Sequence, residues 1–200
     1  MLKRAIFVLS IAASGARAQA SAASLRADSV ATSPHYWSWL IAGAVSSVLL
    51  HEAGHVTAAY GANAHPYFGF DTGRPTVYSG IDSHRFPRRQ FWFSSAGLNV
   101  QAALNEAILD VPHHRGSAFE RGLLAGGIGT AVFYLTIGRT GSVSDVDFIA
   151  RTHVMNKTQV TLLYGGVATV QAWRISRNPA YNHFFARPSV RGGLDVGLGF

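Results

Sequence analysis

Four long runs of hydrophobic residues are separated along the chain by short segments rich in polar residues, glycine and proline. The runs cover residues 36–59, 91–109, 119–137 and 158–173. A helix rises about 1.5 Å per residue, so about 20 residues cross the roughly 30 Å apolar layer of a bilayer. The pattern therefore predicts a mainly α-helical protein, a small membrane bundle of about four spans.

Two segments have the pattern of β-strands instead. Aromatic and β-branched residues lie on both sides of the turn sequence at 71–75, which predicts a β-hairpin over 67–78, between the first two spans. Near the C-terminus, hydrophobic residues alternate with Asp and Gly over 194–200. This alternation predicts a strand that pairs with 184–190 through a turn at 191–193.

The third hydrophobic run contains Gly122 and Gly126, spaced one helical turn apart. Small residues at this spacing allow the backbones of two helices to approach closely. The spacing would let a neighbouring helix approach this run closely; the alternative is a glycine-rich helix that is merely flexible.

The first 20 residues have the features of a secretory signal peptide. Lys3 and Arg4 precede an apolar stretch over 5–13, and Ala-x-Ala cleavage sequences follow at 16–18 and 18–20. An uncleaved anchor helix is the alternative. The predicted organisation is a signal peptide over 1–20, a linker over 21–35, a membrane-embedded domain over 36–175 and a C-terminal tail over 176–200.

The composition favours a lipid environment over an aqueous one. Charged residues make up 14% of the chain, compared with about 25% in typical soluble domains. The net charge of +7 is spread between the apolar runs, as in the flanks of membrane spans and unlike a nucleic-acid-binding stripe. We therefore expect membrane lipid and no nucleic acid as a partner, and a multi-pass location in a bacterial inner membrane reached by a secretory signal.

The strongest chemical signal is the segment His51-Glu52-Ala53-Gly54-His55, which matches the H-E-x-x-H motif. Residues four apart share one face of a helix, so both imidazoles can reach the same ion. Glu52 then lies beside the metal-bound water as a general base. The chain has no cysteine, so any further ligand must be His, Asp or Glu. The motif predicts Zn²⁺ bound by His51 and His55; the alternative is two histidines and a glutamate near a helix end without a metal.

The motif itself leaves the third ligand open. The extension with a third histidine that one zincin class uses is absent, because Ala58 and Gly61 occupy the corresponding positions. Another class takes a Glu from a later helix in an E-x-x-x-D pattern, which Glu106 and Asp110 match. Glu106 is therefore one candidate ligand, or else a polar contact within the bundle.

In this order, the motifs resemble the site-2 protease family of intramembrane zinc metalloproteases. The similarity covers about half of the chain: the HEAGH helix, the segment 58–61, the hairpin, and a second helix that contains the sequence Ser-Ala-Gly-Leu-Asn-Val-Gln at 95–101. Leu98 stands where the family has Pro, and Gln101 where it has Asn. The resemblance implies a substrate-binding role for Asn99 or Gln101.

The resemblance also implies that an Asp in a polar break after an apolar helix is the third ligand. The counterpart here is the segment 142–149, which lacks the Asn, Pro and Gly of the family. Asp145 is favoured over Asp147 because it follows a small residue and lies nearer the third run. Without the HEAGH helix, two carboxylates in such a loop would be interpreted as solvated turn residues.

Together these features predict an intramembrane zinc metallopeptidase. It would hydrolyse a peptide bond of a membrane-associated protein, with metal-bound water activated by Glu52. Two alternatives stay open. One is a non-catalytic membrane protein that retains a metalloprotease-like fold, and the other is a zincin-like hydrolase with Glu106 as third ligand.

Overall fold

The computed structural model describes residues 35–71, 74–141, 144–181, 184–188 and 194–198. Within these ranges the chain is mainly helical. The helices are α1 (Tyr36–Gly61), α2 (Pro87–Asp110), α3 (Ala118–Leu135), α4 (Asp145–Arg151) and α5 (Lys157–Arg177), with a 3-10 turn at Gly138–Thr140. The predicted signal peptide over 1–20 lies outside the described residues, as does the predicted linker over 21–35 except for its last residue.

Two antiparallel hairpins occur where the sequence predicts them. Strand β1 (Tyr67–Asp71) pairs with β2 (Arg74–Tyr78), and β3 (Phe184–Pro188) pairs with β4 (Leu194–Leu198). Val77 of β2 is buried in a cluster with Ala59 of α1. The first hairpin therefore packs beside the C-terminal end of α1.

The prediction of a membrane-spanning bundle is wrong, and with it the multi-pass location in a bacterial inner membrane. Among the described residues, no helix combines enough length with enough apolar character to cross a membrane. The second apolar run is interrupted by the polar side chains of Gln101 and Asn105, which α2 buries inside the bundle. Part of the hydrophobic content that suggested spans lies at the surface, for example Leu49 and Leu162.

Helices α1 and α3 cross with their backbones in close contact. A Cβ atom on Gly43 would lie 2.0 Å from the backbone oxygen of Phe119, and one on Gly122 would lie 2.1 Å from that of Leu40. Gly126 faces the same helix, near Ser47. The close approach expected from the glycine spacing is thus confirmed, and it fixes α3 against the helix that carries the HEAGH motif.

We predict that Gly122→Ala destabilises the protein, because the added methyl group overlaps the backbone of α1. The free energy of unfolding should fall by roughly 1 to 3 kcal/mol in urea denaturation. Gly129→Ala on the same helix is the matched control, since a Cβ there would meet no atom within 4 Å. It should raise stability by up to about 1 kcal/mol. Equal stabilities for the two variants would contradict the close crossing.

Candidate metal centre

Three potential ligand atoms from two helices meet in the interior of the bundle. His51 and His55 share one face of α1, and their Nε2 atoms are 3.1 Å apart. Asp145 Oδ2 lies 2.9 Å from Nε2 of His51 and 3.4 Å from Nε2 of His55. The three residues are only 1%, 3% and 8% exposed. Among the described residues, this is the group of His, Asp and Glu side chains that could hold a metal ion.

Asp145 reaches the histidines because it is the first residue of α4, a short helix that a side-chain cap and two buried side chains hold in place. The Ser144 hydroxyl caps α4 by accepting a hydrogen bond from the backbone N–H of Asp147 at 3.2 Å. Val146 and Ile149 are fully buried in a cluster with Leu98 of α2. The segment is therefore not an exposed loop, and Asp145 is not a solvated turn residue.

The hydrogen bonds of the two imidazoles define which ring nitrogen carries the hydrogen. Nδ1 of His55 lies 2.7 Å from the backbone oxygen of Phe93, which can only accept, so this Nδ1 is an N–H. Nδ1 of His51 lies 2.9 Å from Oε1 of Gln101 and is an N–H for the same reason. Each neutral imidazole therefore directs the lone pair of Nε2 towards Asp145.

Two lone pairs and a carboxylate oxygen in one buried volume require a positive charge. Asp145 Oδ2 is buried and receives no hydrogen bond of normal geometry from the described residues. Burial by itself disfavours the charged form of His55, but the Asp145 carboxylate outweighs it and raises the pKa of His55 to about 9. Burial likewise opposes ionisation of Asp145, yet the two histidines hold its pKa well below its usual range. Without a metal, a proton on His55 supplies the charge.

The dimensions of the group suit a small divalent cation. A tetrahedral ion with bonds of about 2.0 to 2.2 Å separates its ligand atoms by roughly 3.3 Å, and the observed separations are 2.9, 3.1 and 3.4 Å. The ring of His51 fits because Gly97 of α2 has no side chain: a Cβ there would lie 2.5 Å from Nε2. Tyr134 stacks on the same ring at 5.6 Å between centroids. The buried group of His51, His55 and Asp145 could therefore hold a metal ion.

The other two candidates for the third ligand are engaged elsewhere. Asp147 forms ion pairs with Arg151 at 2.6 Å and Lys157 at 2.7 Å. Glu106 pairs with Arg174, which also contacts Asp110. The E-x-x-x-D pattern on α2 thus binds an arginine of α5, so the structure does not bring Glu106 or Asp147 to the histidines.

Glu52 lies next to the three-residue group without belonging to it. The side chain is half-buried, and burial raises the pKa of its carboxyl group, while the charges of His51 and His55 lower it and that of Asp145 raises it. Within the described part of the chain, its carboxylate has no hydrogen-bond or ion-pair partner. An unpaired carboxylate beside a cation site is able to accept a proton.

The two residues predicted to bind substrate have different surroundings. Asn99 is exposed and lines a cavity of about 460 Å³ with Arg89 and Trp92, and its Oδ1 accepts a hydrogen bond from the Tyr164 hydroxyl at 2.8 Å. Gln101 is buried, and its amide bonds to His51 and neighbouring helices. A substrate-binding role for Asn99 stays a prediction. The Gln101 side chain instead accepts a hydrogen bond from His51.

The sequence did not predict which residues of α2 contact the two histidines, although the spacing of these residues is regular. Phe93, Gly97 and Gln101 follow one another at four-residue intervals, so they share the face of α2 that meets the histidines.

No protein-family model matches the chain, and neither a curated protein nor a solved structure gives a significant match. The resemblance to site-2 proteases therefore depends only on the residues quoted for it.

We predict that metal content depends on His51, His55 and Asp145. Alanine at any of the three should reduce bound metal from about one ion per chain to a small fraction, because two ligands rarely hold an ion. Elemental analysis of the purified variants measures this. Asp147→Asn is the matched control: it removes a neighbouring carboxylate that pairs with Arg151 and Lys157, and it should keep its metal. Full metal content in Asp145→Ala would exclude Asp145 as a ligand.

We also predict a pH dependence of stability in protein kept free of metal. His55 has a pKa of about 9 in the folded state and about 6.5 when unfolded. Its contribution is therefore complete below about pH 6.5 and is lost as the pH rises through about 9. The free energy of unfolding in chelator should fall over this interval, and His55→Gln should flatten the fall. Apparent metal affinity should rise over the same interval, since the ion displaces the proton.

Proposed function

We propose that this protein is a zinc-dependent hydrolase of peptide bonds, with Glu52 as its general base. The observation that carries the proposal is the half-buried Glu52 carboxylate, which has no hydrogen-bond or ion-pair partner among the described residues and lies beside three converging ligand atoms.

Zinc is the ion that best suits these donors. Two imidazole nitrogens and one carboxylate oxygen form a set that catalytic zinc sites use, and three protein ligands leave a fourth position for water or substrate. Both histidines donate their other ring N–H to a fixed acceptor, the backbone of Phe93 or the side chain of Gln101, as metal-bound histidines usually do.

Each side chain of the site has a separate role in the proposed reaction. When bound, the zinc ion would polarise the scissile carbonyl and lower the pKa of a water molecule. His51 and His55 would hold the ion, and Asp145 would be the third ligand, with a negative charge that offsets one of the two positive charges of the ion. Glu52 accepts the proton of the attacking water and then transfers it to the leaving amine. Burial raises the pKa of Glu52, which brings it closer to neutrality and favours this return of the proton.

Peptide bonds are proposed as the substrate on the strength of the HEAGH motif and its resemblance to metalloproteases. An extended peptide could lie along the hairpin of β1 and β2, which packs beside the C-terminal end of α1. The cavity beside Asn99 could accept one of its side chains. A substrate embedded in a membrane is no longer part of the proposal.

A second candidate function is a non-catalytic metal centre that stabilises the fold. It is favoured by the burial of all three ligand residues, of which Asp145 is the most exposed at 8%. In that case Glu52 would complete the coordination as a fourth ligand. The two candidates differ in what the loss of the Glu52 carboxylate does to metal binding.

We predict that Glu52→Gln keeps about one zinc ion per chain and its folding stability but loses at least about 100-fold in hydrolysis rate, since only the proton acceptor is removed. Cleavage can be followed by mass spectrometry on a peptide mixture from a whole-proteome digest. Glu106→Gln is the matched control and should stay active, because Glu106 pairs with Arg174 away from the histidines. Unchanged activity in Glu52→Gln would refute the base assignment, and loss of zinc would favour the structural centre.

A further inference from the structure

The side chain of Gln101 fills the junction of three helices directly behind His51. Its Oε1 atom accepts the hydrogen bond from Nδ1 of His51 at 2.9 Å. Its Nε2 atom lies 3.2 Å from the backbone oxygen of Ser47, 3.1 Å from the Ser47 hydroxyl and 3.2 Å from the Thr130 hydroxyl. These bonds connect α2 to α1 and α3. Gln101 is 2% exposed, so water does not compete for them.

The partners of Gln101 determine the orientation of its amide group. The backbone oxygen of Ser47 can only accept a hydrogen bond, so the amide nitrogen faces it and Oε1 faces His51. An acceptor in this place binds the form of the imidazole that carries its hydrogen on Nδ1. It disfavours the form with the hydrogen on Nε2, because two lone pairs would then face each other. Nε2 of His51 therefore keeps its lone pair towards His55 and Asp145.

We propose that Gln101 is the positioning residue of the metal centre, which fixes both the hydrogen of His51 on Nδ1 and the plane of its ring. The proposal rests on the metal centre but not on hydrolysis. His55 donates the equivalent hydrogen bond to a backbone oxygen, that of Phe93, which side-chain substitutions do not remove. Gln101 is thus the side chain that sets the metal affinity of this pair of histidines.

Titration of the metal-free full chain with Co²⁺, followed by its visible absorption, tests the proposal. Gln101→Leu removes the acceptor and should weaken Co²⁺ binding by about 10- to 100-fold, the usual effect of losing such a partner. Gln101→Glu keeps an oxygen at the same place and should stay within a few-fold of wild type. Gln171→Leu is the matched control: Gln171 is also 2% exposed and bonds to Asn105 and Glu106, without contact to either histidine.

The pattern across the variants separates positioning from a general effect on the fold. Wild-type affinity in Gln101→Leu would overturn the proposal. So would equal losses in Gln101→Leu and Gln171→Leu, or in Gln101→Leu and Gln101→Glu, since a packing role predicts either. Urea denaturation of the same variants shows how far each one loses stability.

A second measurement needs neither metal nor substrate. Nitrogen-15 NMR of the histidine side chains in metal-free protein, at a pH where His51 is neutral, reports which ring nitrogen carries the hydrogen. Wild type and Gln171→Leu should have it on Nδ1, and Gln101→Leu should show a mixture. Hydrogen on Nε2 in wild type would overturn the proposal, as would the absence of any Co²⁺ binding. A protein that binds Co²⁺ as described but cleaves nothing would refute only the proposed hydrolysis.

Discussion

Three electron-rich atoms meet in one buried volume, and their mutual repulsion has to be balanced by positive charge. Nε2 of His51, Nε2 of His55 and Oδ2 of Asp145 lie within 3.4 Å of one another, where water cannot screen them. Without a metal, a proton on His55 supplies the charge. A divalent ion balances it better, because it accepts all three lone pairs at once. Any binding of a metal ion to this group is therefore linked to folding.

The helix bundle meets this constraint by allowing very close contacts around α1. Gly43 and Gly122 let α3 touch the backbone of α1, and Gly97 lets the ring of His51 lie against α2. A methyl group at any of these positions would occupy space that another atom already fills. The absence of side chains at a few positions is thus as important to the site as the ligands themselves. These close contacts also bring Gln101 within hydrogen-bonding distance of His51.

Carboxylates of similar chemistry take different roles because their neighbours differ. Asp145 faces two imidazoles, whereas Asp147, two residues later, faces Arg151 and Lys157 and forms ordinary ion pairs. Glu106 is neutralised by Arg174 on the adjacent helix. Among the described residues Glu52 has no such partner, so its carboxylate is able to accept a proton. Partners from neighbouring helices, together with Arg151 of the same helix as Asp147, thus separate a candidate ligand, two structural ion pairs and a candidate base.

The sequence by itself determined the local features: the helix with both histidines on one face, the other long helices, both hairpins and the close approach at Gly122. These depend on spacing along the chain, which periodicity reveals. Tertiary structure decided which carboxylate meets His51 and His55, since that depends on how α4 packs against α2. It also gave Gln101 its place behind His51 and corrected the membrane prediction. Hydrophobic content along the chain does not reveal which polar side chains will be paired inside a bundle, because those pairs form between residues far apart in sequence.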